Sequence, residues 1–182
     1  MRWMVLFLAS ILVAGLASAA EKWRQYNYLN YSFAINFPTS PKSESGTFPG
    51  PNGVKLSAHF YSAKSENNVY RVTIADFSKT DMEEKDAVAY AMSRLMEQGE
   101  ITLDIPTRVD AVDGRQLSLA GKDGTHASVG LFFYQHRLYQ IEGITSEEGS
   151  SDPTRFQQSA HFTNDAKKLF GFDSPFGASG NF

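Results

Sequence analysis

From Ile101 to Ile144 the sequence runs through successive stretches of alternating apolar and polar residues, joined by connections of only a few residues. A parallel pairing needs a crossover of about a dozen residues or more, so these stretches can associate only as antiparallel neighbours. Ile101 to Val112 reads as an extended stretch interrupted at Pro106, and Asp113-Gly114 supplies a hairpin signal into Arg115 to Ala120. Lys122-Asp123-Gly124 makes the next turn. Ala127 to Tyr134 is the most apolar run and is expected at the centre of a sheet, with Gln135 to Arg137 returning the chain tightly into Leu138 to Ile144.

The preceding residues extend this pattern. Phe33, Ile35 and Phe37 alternate with Ala34 and Asn36, a strand ended by Pro38 and Pro41. Ser40 to Gly53, punctuated by prolines and glycines, reads as a surface loop. Val54 to Ala63 and Val69 to Phe77 form a hairpin across Ser65 to Asn68. A helix follows. Thr80 and Glu83 fit a capping box, Glu84 and Asp86 sit near its positive end, and Val88, Met92, Leu95 and Met96 share a face before Gly99 stops it. Asp152 as N-cap and Pro153 at the first position open a second helix to about His161, with Phe156 and Ala160 inward. Asn164 to Phe170 adds a helical turn, and 171–182 reads as a flexible tail. The expected fold is α+β: an antiparallel sheet of about six to seven strands, one helix after the first hairpins and one C-terminal helix packed on it.

The amino terminus has a different character. Arg2 precedes an apolar run from Trp3 to Leu16, and Ala17-Ser18-Ala19 then supplies small residues at the −3 and −1 positions of a cleavage site. This is the three-part pattern of a secretory signal peptide over residues 1–20, leaving one domain over 21–170 in an extracytoplasmic compartment, periplasmic or secreted. No later apolar run approaches that length, so no membrane span is expected after cleavage. The chain has no cysteine, which excludes disulfides, thiolate metal sites and a cysteine nucleophile. Its formal charge of −3 lacks the basic excess that nucleic acid binding requires.

The aromatic strand Tyr31-Ser32-Phe33-Ala34-Ile35-Asn36-Phe37-Pro38 is followed by a hairpin and a helix. A meander containing Gly114-Arg115 and Arg137-Leu138-Tyr139-Gln140-Ile141 comes next, then a closing segment with Phe156 and Phe162. This order, over residues 22 to 170, resembles the PsbP-like superfamily, named for an extrinsic subunit of the oxygen-evolving photosystem, and the exported bacterial proteins of that pattern. The resemblance implies an antiparallel sheet flanked by helices and a non-enzymatic assembly or binding role. It transfers no functional residue, and fold alone does not specify function.

The chemistry-bearing residues are dispersed. His59, His126, His136 and His161 lack metal-ligand spacing, and neither a Gly-x-Ser-x-Gly elbow nor a Ser-x-x-Lys pair occurs. Accordingly no catalytic residue, metal ligand or cofactor is assigned. The candidate partner surface is the aromatic cluster Trp23, Tyr26, Tyr28 and Tyr31, against the alternative that these rings pack beneath the closing helix. Three functions compete. The first is an exported non-catalytic binding or assembly-accessory domain, its partner an extracytoplasmic protein or small ligand. The second is a carrier of small apolar ligands, with a pocket built from Phe132, Tyr134, Tyr139 and Met92. The third is a hydrolase using His126 or His136 with a nearby aspartate.

Overall fold

The structure, a computed structural model, describes residues 23–146 and 149–163. The leader, the expected helical turn at 164–170 and the tail at 171–182 lie outside the described residues.

The elements in chain order are β1 (Arg24–Tyr28), β2 (Phe33–Phe37), β3 (Lys42–Pro49), β4 (Lys55–Ser65), β5 (Asn68–Asp76), α1 (Glu84–Met96), β6 (Gly99–Val109), β7 (Val112–Gly121), β8 (His126–Tyr134), β9 (Arg137–Thr145), α2 (Asp152–Gln158) and β10 (His161–Phe162). Seven strands form an antiparallel sheet in the order β3-β4-β5-β9-β8-β7-β6. Its two meanders join along β5 and β9, from Asn68↔Thr145 to Asp76↔Arg137. The centre is β9, with the more apolar β8 beside it.

The large sheet carries a core on each face. On one, Ala87, Val88, Ala91 and Leu95 of α1 pack over Leu117, Val129, Leu131 and Leu138. On the other, α2 and a small sheet, ordered β1-β2-β10, bring Phe33, Ile35, Phe37, Phe156 and Phe162 against Tyr70, Val72, Phe132, Tyr139 and Ile141. The long strand β4 serves both: Leu56 and Ala58 face the first core, Tyr61 and Ala63 the second.

Several local expectations give way to tertiary context. Ser40 to Gly53 is not all loop. Lys42–Pro49 is an edge strand, polar and exposed except at Phe48, and an edge position tolerates its proline and glycine. Pro106 does not interrupt β6, because β6 is the opposite edge and a missing N–H can face away from the sheet. The β6–β7 turn is Asp110-Ala111, with Asp110 at φ 49°, rather than Asp113-Gly114. Gly114 lies inside β7, where a Cβ would strike the Leu131 carbonyl oxygen and the Phe132 ring. The Thr80–Glu83 capping box does not form: α1 starts at Glu84, and Thr80 donates to the Phe77 carbonyl at 2.8 Å. Met96 is exposed, and the buried face of α1 is completed by alanines instead. Finally α2 ends at Gln158, because His161 and Phe162 turn extended and pair with Ala34 and Phe33 of β2.

Candidate functional site

The four aromatic residues sit on and beside β1, the outer strand of the small sheet, which pairs with β2 from Arg24↔Phe37 to Tyr28↔Phe33. All four are half-buried and pack against the core beneath. Trp23 stands edge-on to Tyr70, centroids 5.3 Å apart, and the Arg155 guanidinium carbon lies 4.5 Å from its ring centroid. Tyr26 meets Phe37 edge-on, and its hydroxyl donates to Ser40 Oγ at 3.2 Å. Tyr28 lies 4.0 Å from Tyr61, with its hydroxyl buried and unpartnered, and burial pushes its phenol far above the ordinary range. Tyr31 rests against His59 and beneath Arg137, while its carbonyl accepts the Tyr139 hydroxyl at 2.7 Å. Trp23, Tyr28 and Tyr31 therefore help close the seam between the two sheets, and Tyr26 packs on the small sheet.

The carrier pocket expected from Phe132, Tyr134, Tyr139 and Met92 is not formed. Phe162, delivered by the short strand β10, fills the space. Its ring centroid lies 5.2 Å from Phe132, 5.7 Å from Tyr134 and 5.0 Å from Tyr139. Met92 belongs to the core on the opposite face of the large sheet. The hydrolase pairing is also displaced. His126 and His136 are exposed at the start of β8 and in the turn beyond its end. The histidine beside an aspartate is His161, with Nδ1 3.6 Å from Asp110 Oδ2, and both side chains are exposed. That same carboxylate oxygen accepts the Phe162 N–H at 2.8 Å, an anchoring role for β10. Among the described residues, no group of three histidine, aspartate or glutamate side chains is arranged to hold a metal.

Sequence reasoning missed the most unusual charge in the molecule. Gln140 and Glu142 occupy the polar phase of β9, which reads as a solvent-facing row. Because β9 is central, neighbouring strands close over that row, and Glu142 is only 3% exposed. Burial pushes its carboxyl above the ordinary range, partly offset by Arg71 and by a hydrogen bond with Gln140. Arg71 stands directly opposite on β5, its Nη1 3.7 Å from Glu142 Oε2 and its side chain 44% exposed. The guanidinium borders a groove of about 610 Å³ across β3, β4 and β5, lined also by Lys42, Phe60, Ser62, Lys64 and Val69. Helix α1 lies over β6 to β9, so this end of the same sheet face remains open.

No family model matches the sequence, and no curated protein does. Among solved structures, the fold is similar to that of cyanobacterial PsbP (CyanoP) from Synechocystis sp. PCC 6803, determined in solution. The TM-score is 0.55 at 12% identity, over 80% of this chain and 95% of that one. At that identity the likeness is one of fold. Its coverage takes in nearly the whole of the cyanobacterial chain, and the α+β arrangement anticipated from the strand order is the one observed: the chain has a PsbP-like fold.

Proposed function

We propose that this protein is an exported, non-catalytic accessory domain that binds an extracytoplasmic protein. The fold likeness to CyanoP carries the reading, joined to the family resemblance, which implies assembly or binding rather than catalysis. The leader pattern supports export. The working surface is the outer side of β1, where Arg24 is exposed beside the half-buried rings of Trp23 and Tyr26.

A photo-crosslinking residue at Gln25, with a matched control at Ser57 on the exposed side of β4, tests the surface in cells. The expected result is one discrete adduct from position 25 alone, weakened by Arg24→Glu, a change to an exposed side chain, at unchanged melting temperature. Equal labelling from both positions, or loss of the adduct only in parallel with stability, would refute the surface. Mass spectrometry of the recovered protein tests export: its amino terminus should lie at residue 20 or 21, and intact Met1 on cytosolic protein would overturn the placement.

A further inference from the structure

We infer that the open end of the large sheet, the groove across β3, β4 and β5, binds a small organic monoanion with an apolar body, an aryl carboxylate being the simplest member of the class. This second site meets the flank of β1 at Thr39 and at Ser40, whose hydroxyl accepts that of Tyr26, but Arg71, Lys42 and Lys64 lie outside that contact, so substituting them tests it apart from the accessory reading.

The argument begins with Arg71. At 3.7 Å its contact with Glu142 exceeds hydrogen-bond length, so the pair is electrostatic and leaves guanidinium donors directed elsewhere. The side chain is nearly half exposed although its counter-charge is almost fully buried. Glu142 thus sets its carboxylate beside a guanidinium that also borders the groove. A planar guanidinium so presented matches a carboxylate, which can accept two parallel N–H bonds.

The surroundings favour the same occupant. Lys42 and Lys64 are exposed at the rim, whereas Glu44 is the acid lining the groove. Lys42, Lys64 and Arg71 stand against Glu44 and the Glu142 paired with Arg71, and the single excess positive charge suits a monoanion and disfavours a cation. Between them Phe60 and Val69 supply an apolar floor beside the Ser62 hydroxyl. The volume falls within the range of small-molecule sites, roughly 300–1,000 Å³. In this arrangement Arg71 contacts the ligand, and Glu142 acts as a positioning residue through Arg71.

The probe is 1-naphthoate, titrated into the protein by ¹H–¹⁵N NMR. Two comparison probes are 1-naphthylmethanol, which keeps the body without the charge, and a tripeptide ending in a free phenylalanine carboxylate. Naphthoate should shift amides in 60–64 and 69–72 and saturate, with the alcohol at least about tenfold weaker, as loss of a charge-assisted bond implies. Arg71→Gln alone leaves Glu142 buried without its cation, so the informative variant is Arg71→Gln/Glu142→Gln, which should weaken naphthoate at least about tenfold. Lys42→Gln/Lys64→Gln alters only exposed side chains, keeps the test valid if the first pair fails to fold, and should weaken it severalfold. Absence of saturable shifts, equal binding of the alcohol, retention of affinity in a folded variant, or tighter binding of the tripeptide would each overturn the proposal.

Discussion

Replacing Gly143 with alanine should destabilise the protein, against the usual trend for glycine inside a strand. Alanine ordinarily gains about 0.5–1 kcal/mol there by restricting the unfolded chain. At Gly143, however, a Cβ would meet the backbone of Pro153, with the carbonyl carbon at 2.8 Å and the Cα and oxygen nearer still. Carbon atoms pack best at roughly 3.5–4.0 Å, so α2 must retreat by about 1 Å. It cannot do so freely, because Phe156 on the same helix is fully buried between Phe37 and Tyr70, at 4.9 and 5.1 Å. Overpacking costs about 1–3 kcal/mol, and a clash with backbone, which no side-chain rotation relieves, belongs near about 2–3 kcal/mol, leaving a net loss of about 1–2 kcal/mol. For a domain of this size that lowers the melting temperature by about 2–8 °C. In protein beginning at residue 21, Trp23 is the only tryptophan and lies 6.5 Å from the Phe156 ring, so its fluorescence follows the transition. Gly46→Ala is the control. Its Cβ would lie 3.2 Å from the movable edge of the half-buried Phe60 ring, and the expected change is within about 0.5 kcal/mol. An unchanged or raised urea midpoint for Gly143→Ala would refute the account of why α2 sits where it does.

Three further outcomes follow from named contacts. Phe156→Ala removes the ring that joins Trp23, Phe37 and Tyr70, and should lose about 3–5 kcal/mol by urea unfolding. The buried Glu142 has a carboxyl raised above its ordinary 4.5, so folding favours its protonated form. Its contribution is fully present below pH 4.5 and is lost as pH rises through the higher folded value, so the stability of Glu142→Gln relative to the native protein should increase over that interval. A pH-independent difference between the two would contradict this. The β8–β9 turn holds Gln135 and His136 at φ 49° and 58°, a conformation that favours Asn-Gly. Gln135→Asn/His136→Gly should therefore raise stability by about 0.5–1 kcal/mol, and the His136 carbonyl still accepts the Phe77 N–H at 2.8 Å.

Strand order was legible because alternation and connection length are local properties. Six strands of the large sheet and both helices follow from them, down to the Lys122-Asp123-Gly124 turn, in which Asp123 accepts from the Thr125 N–H and hydroxyl. By contrast, β3 lies in a stretch whose prolines and glycines read as loop, and Phe33–Phe37 joins the small sheet instead. What local reasoning misassigned depends on partners far along the chain. Gly114 reads as a turn residue but is glycine for the sake of the Phe132 ring, a neighbour on the next strand. Pro106 reads as a break until β6 is known to be an edge. The two-residue strand β10 is too short to carry a period of its own, and it exists because β2 offers it Phe33 and Ala34. Its arrival converted an expected ligand pocket into a core around Phe162. At the groove, Glu142 lies in a polar phase indistinguishable from a solvent-facing row, and only the central position of β9 makes it buried.

That burial bears on why the charges are there at all. A sheet of seven strands spans roughly 30 Å between its outer strands. A helix of thirteen residues is only about 20 Å long and about 10 Å wide, so α1 cannot cover one whole face. An uncovered end is a geometric consequence of the fold, and water-facing residues would suffice to finish it. Arg71 and Glu142 do something different, since Glu142 is withdrawn from water and must be compensated. An apolar pair of similar volume at positions facing each other on β5 and β9 would commonly leave such a protein as stable or more so. The ion pair is therefore poorly accounted for by stability, and better accounted for by a requirement to keep a guanidinium beside an open groove.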